Sequence, residues 1–168
     1  MLLAALLATV TVACPTERAQ YRLSSDASVT AEFFPVPRTA DWAGGVALRV
    51  RFGKTGRSYW FVPWQGGTDG RTNMAWVRER GDPIAGQSVR EDIQIVTTDA
   101  DHRIHEAIPR ATRPAPRHIL LLGLRTLTWY RTPHDRRDDA RRGFFDRTGC
   151  RPATVRAYRP SIDFPPIP

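Results

Sequence analysis

From residue 45 to 52 the chain reads GVALRVRF, which places Val46, Leu48, Val50 and Phe52 on one face of an extended segment and Ala47, Arg49 and Arg51 on the other. Side chains of a strand point to opposite faces in turn, so this alternation predicts a strand buried on one side. Residues 57–62 continue the pattern after Gly53-Lys54-Thr55-Gly56, and the two segments read as a β-hairpin across a four-residue turn. In the second segment Tyr59 and Phe61 share one face while Trp60 and Val62 share the other, so both faces should be covered.

Further short strands fit residues 20–24, 29–34, 73–78, 92–98, 103–107, 118–122 and 127–131, each bounded by Gly, Pro, Asp or Ser. About nine short strands in succession predict an all-β fold, an antiparallel β-sandwich or barrel-like sheet. Pro35-Val36-Pro37 and Pro114-Ala115-Pro116 cannot lie inside central strands and mark crossings or edges. One short C-terminal helix is expected to start at Thr132-Pro133-His134-Asp135, which supplies a cap, a first-turn proline and an acid, and to end at Gly149. Its apolar stripe is thin, consisting of Ala140, Phe144 and Phe145.

The 168 residues show no second composition and no repeat, so a single domain is expected over residues 14–168. Apolar residues at 41% argue for a packed core in spite of 14 prolines. Residues 1–13, MLLAALLATVTVA, form an uncharged apolar run too short to anchor in a bilayer and fit a signal peptide ending at Ala13. Thr11-Val12-Ala13-Cys14 resembles the lipobox of bacterial lipoproteins, with Thr in place of the usual Leu. That resemblance implies lipidation and membrane-surface association through Cys14. Cys14 and Cys150 are the only cysteines, and an even count in an exported chain suggests instead a bridge between them. The two fates of Cys14 exclude each other.

The net charge of +8 belongs mostly to the end of the chain, since residues 101–168 carry 14 basic and 7 acidic side chains. Such asymmetry points to an anionic partner. Export to the periplasm or beyond sets nucleic acid aside and brings forward an envelope glycan or an anionic lipid, whose oxygens guanidinium binds in the same bidentate way.

Candidate chemistry is sparse. The Gly-Lys-Thr at 53–55 lacks the earlier glycine of a phosphate-binding loop, because Leu48 stands there, and it precedes a strand rather than a helix. No serine lies in a nucleophile elbow, and no cofactor is implied. The densest acid–base set is DADHRIHE at 99–106; a metal-dependent hydrolase would centre on His102 and His105, which an extended backbone points to opposite faces. RRDDARRGFFDR at 136–147 reads as a solvated, self-paired face or as a patch for anions or membrane. The stretch WQGGTDGRTN at 64–73 is too long for a tight turn, and Trp64, Gln65, Asp69 and Arg71 are the expected ligand contacts. The sequence therefore predicts a binding module for an anionic or carbohydrate ligand. A hydrolase and a structural or inhibitory subunit with a protein partner are the competing classes, and the oligomeric state is open.

Overall fold

Val46, Leu48, Val50 and Phe52 do face the interior, and they do so in a closed barrel. The computed structural model describes residues 13–38, 42–64, 71–79, 93–105, 107–154 and 162–163. The strands are β1 (Ala19–Leu23), β2 (Asp26–Pro35), β3 (Val46–Phe52), β4 (Ser58–Pro63), β5 (Arg71–Glu79), β6 (Ile93–Thr98), β7 (Ile104–His105), β8 (His118–Leu122), β9 (Phe145–Cys150) and β10 (Ile162–Asp163). Neighbours run β5-β4-β3-β2-β1-β9-β8-β6, and β5 pairs with β6 to close the ring, all antiparallel. The two-residue strands β7 and β10 pair at the margins of β6 and β5.

Closure solves the edge problem of an all-β chain and gives each strand an inside and an outside. The inside is filled by Tyr21, Phe33, Leu48, Phe61, Met74, Ile95, Ile119 and Phe145, each at most 1% exposed. A second apolar cluster lies on the outer face of β2 to β5, where Phe34, Ala47, Trp60, Val62, Ala75 and Val77 meet Trp42. This explains the doubly apolar β4: Tyr59 and Phe61 belong to the inner cluster and Trp60 and Val62 to the outer one. Arg49 emerges between them, its guanidinium 4.9 Å from the Phe34 ring and 3.2 Å from Glu32.

The 53–56 segment is the hairpin turn, closed by the Phe52 N–H to the Arg57 carbonyl at 2.9 Å, with Gly56 at φ 74. A Cβ at Gly53 would lie 2.7 Å from the Ser28 carbonyl oxygen, which Gly53 N–H itself binds. Gly53→Ala is expected to lower the unfolding free energy by about 1–3 kcal/mol in urea titration, because backbone on both sides has to shift.

Two expected elements differ. Residues 127–131 are not a strand but a π-helical turn, Thr126–Tyr130, entered after Gly123 at φ 83. Leu124, Leu127 and Thr128 are buried while Arg125 and Thr126 are exposed, so the segment buries one side of a turn rather than alternate residues. The helix expected from Thr132 is only a 3-10 turn, His134–Arg136, followed by extended chain and then β9. Tertiary contacts override local propensity here. Phe145 is drawn into the core opposite Leu23, and β9 pairs with β1 through five register positions. Asp138, expected on a solvated face, is buried against the β3–β4 turn and Tyr59 of β4.

That burial closes one end of the barrel. The Asp138 carboxylate accepts hydrogen bonds from Arg57 Nε at 2.7 Å, Thr55 Oγ1 at 2.6 Å and Tyr59 Oη at 2.9 Å. Its N–H donates to the Thr128 carbonyl, and Arg57 Nη2 donates to the Arg137 carbonyl. At the opposite end Cys14 and Cys150 form a disulfide across a sequence separation of 136. The signal segment 1–13 lies outside the described residues except for Ala13.

Candidate functional site

The end of the barrel that carries the disulfide also carries a groove of about 680 Å³, a volume within the range of ligand sites. It runs between the 107–116 loop and the tops of β6 and β7. Ala107, Ile108, Pro109 and Pro114 give it apolar walls, Thr16 and Thr97 give hydroxyls, and His105, Arg110 and Arg113 stand on it. Arg110, Arg113 and His105 are exposed, and no carboxylate of the described residues pairs with either arginine. The rim is therefore positive over an apolar floor.

The loop is held by its backbone, which keeps the groove shaped before any ligand arrives. Thr16 N–H and Oγ1 both donate to the Arg113 carbonyl, at 2.8 and 3.0 Å, and Ala115 N–H donates to the Cys14 carbonyl at 2.8 Å. Ala111 N–H donates to the Gly44 carbonyl at 2.9 Å. A Cβ at Gly44 would crowd this contact, 3.0 Å from the Pro109 carbonyl oxygen. Tyr21 Oη reaches up from the core to the Pro116 carbonyl at 3.0 Å, and burial pushes its phenol well above the usual range, so it stays a neutral donor.

Two residues other than glycine have positive φ among those described, Thr112 at 67° and His102 at 60°, and both sit on loops of this end. A β-branched residue in that region is strained by about 1–3 kcal/mol. Thr112 is kept there by its N–H bond to the Glu17 carboxylate at 2.7 Å. Strain that the surroundings over-determine is typical of sites with a task.

His102 and His105 go different ways. His102 stacks on His118 with ring centroids 4.4 Å apart and planes 12° from parallel, with the Phe144 ring edge-on to both. His118 Nδ1 lies 2.6 Å from Asp146 Oδ1. Imidazole lone pairs lie in the ring plane, so stacked rings do not converge on one ion. His105 pairs with Thr97 in β7 and lines the groove. Asp99 is occupied by the turn, its carboxyl held below the usual range by the N–H of Arg103 and then that of Asp101. Among the described residues no three His, Cys, Asp or Glu side chains are placed to share a metal. Glu106 lies outside the described residues.

Of the expected contact loop, Gln65 and Asp69 lie outside the described residues. Trp64 is half-buried and packs on the outer cluster, with its backbone N–H donating to the Asn73 carbonyl at 3.0 Å. Arg71 is exposed and opens β5 opposite Val96. Both lie at the strand ends β4 and β5 present to the groove end of the barrel, where Pro63 approaches Gly44. Sequence reasoning missed Thr16, Thr97, Arg110 and Arg113. The one local signal was the pair of arginines three apart between Pro109 and Pro114. Set against protein-family models, curated proteins and solved structures, the chain matches none of them.

Proposed function

We propose that the protein is an exported envelope module that binds an anionic ligand at the disulfide end of its barrel. The observation that carries this is the groove of about 680 Å³ with apolar walls and two arginines that no described carboxylate neutralises. Guanidinium groups left unpaired beside apolar surface suit a phosphate or carboxylate joined to an apolar body, because the head gains charge-assisted hydrogen bonds while the tail leaves water. The Cys14–Cys150 bridge is compatible with an oxidising compartment. Trp64 and Arg71, at the same end, would extend the contact toward an attached sugar.

Dodecyl phosphate, below its micelle concentration, is the direct probe. It is expected to bind wild type and to lose about tenfold to a hundredfold in affinity to the Arg110→Ala/Arg113→Ala double variant, measured by calorimetry. Dodecyl maltoside should bind more weakly than the phosphate to the wild type. Equal affinity of the double variant and wild type for dodecyl phosphate would remove the groove as the anion site.

A further inference from the structure

The ring of strands is not equally tight. Every other seam of the barrel is held by four to seven register positions, whereas β8 and β9 share two, His118 with Asp146 and Ile119 with Phe145. Below these the partner chain swings away. Leu120, Leu121 and Leu122 remain paired to β6 on one side, through Val96, Ile95 and Gln94, and have no β9 partner on the other. The gap is a cleft of about 430 Å³ between this free edge and residues 140–143.

Its lining has a definite chemistry. Leu120 and Leu122 point away from the core and are half-buried, and Tyr130, 66% exposed, stands at the rim. On the far wall Arg141 and Arg142 are exposed and pair with no carboxylate of the described residues, while Arg125 is matched to Asp139 at 3.0 Å. A free strand edge offers N–H and C=O groups in a row, and an extended peptide satisfies them by adding a strand, with alternate side chains entering the pockets beside it.

We infer that this seam is a docking site for an extended acidic segment of another protein, which adds to the free edge of β8 and places its carboxylates on Arg141 and Arg142. A second copy of this chain is a poor occupant, because its charge of +8 repels the same arginines. Those arginines thus serve twice, keeping like copies from pairing edge to edge and selecting an acidic partner. This site is at the opposite end from the groove and independent of it.

The probe is a synthetic peptide, acetyl-Val-Glu-Val-Glu-Val-amide, titrated into the isotope-labelled full chain. Amide shifts are expected at residues 120–123, and Arg141→Ala/Arg142→Ala should weaken binding by about tenfold, two exposed charge pairs being lost. The same peptide N-methylated at alternate residues keeps its charge and loses its inward donors, and it should not bind in one of the two registers. Equal binding of both N-methylated forms, shifts confined to other surfaces, or no binding overturns the proposal. So does arginine-dependent binding to phosphatidylglycerol vesicles in the absence of peptide binding, which would make the cleft a membrane contact.

Discussion

Asp138→Ala is expected to lower the unfolding free energy by about 3–5 kcal/mol, the cost of removing one partner of a buried ion pair. The Asp138 side chain is 1% exposed and holds Arg57, Thr55 and Tyr59 at once, so truncation leaves a guanidinium and two hydroxyls facing an empty carboxylate site. In a domain of this size the melting temperature should fall by roughly 10 °C. Asp139→Ala is the matched control: its pair with Arg125 is half exposed, and the expected loss is under about 1 kcal/mol. Loss at Asp138 no greater than at Asp139 would remove the buried hub from the account of stability.

The same group sets a pH dependence. Burial alone would raise the Asp138 pKa, but hydrogen bonds from Arg57, Thr55 and Tyr59 outweigh it and hold the carboxyl below its usual range. A carboxyl depressed on folding contributes stability that is whole above its unfolded pKa, near 4, and is lost as pH falls through the lower folded value. Wild type should therefore lose stability below about pH 4 more steeply than Asp138→Asn does. Tyr59 adds no acid limb of its own, since desolvation first and then Asp138 keep its phenol neutral well above physiological pH.

How much of this was legible depended on whether burial was one-sided. β3 was readable because its inward Val46, Leu48, Val50 and Phe52 alternate with outward Arg49 and Arg51, and β4 and β8 because a short apolar run bounded by turn residues marks a strand. β9 was hidden. Of its residues only Phe145 is buried, and FDRTGC owes its strand to pairing with β1, more than a hundred residues away in sequence. Asp138 and Asp139 are indistinguishable neighbours in RRDDARR, yet one is buried and the other exposed. What separates them is Arg57, 81 residues earlier. The groove was illegible for the same reason: Arg113 meets Thr16 across 97 residues, and only barrel closure puts Thr97 and His105 beside them.

Replacing Cys14 and Cys150 together by serine is expected to cost roughly 5 kcal/mol, the chain-entropy value for a bridge across 136 residues. The loss should appear as a lower urea midpoint, and wild type unfolded under full reduction should match it. A double variant within about 1 kcal/mol of wild type would mean that pairing of β1 with β9 already restrains the unfolded chain. The bridge also bears on the groove. The Cys14 carbonyl and Thr16 hold Ala115 and Arg113, so freeing this end loosens the wall on which Arg113 stands. Binding of dodecyl phosphate should therefore weaken in the serine variant while it is still folded. Asp138→Ala, acting at the opposite end of the barrel, should leave that binding unchanged, because changes at distant sites with no shared partner add independently. The contrast separates an effect on the groove from a general loss of stability.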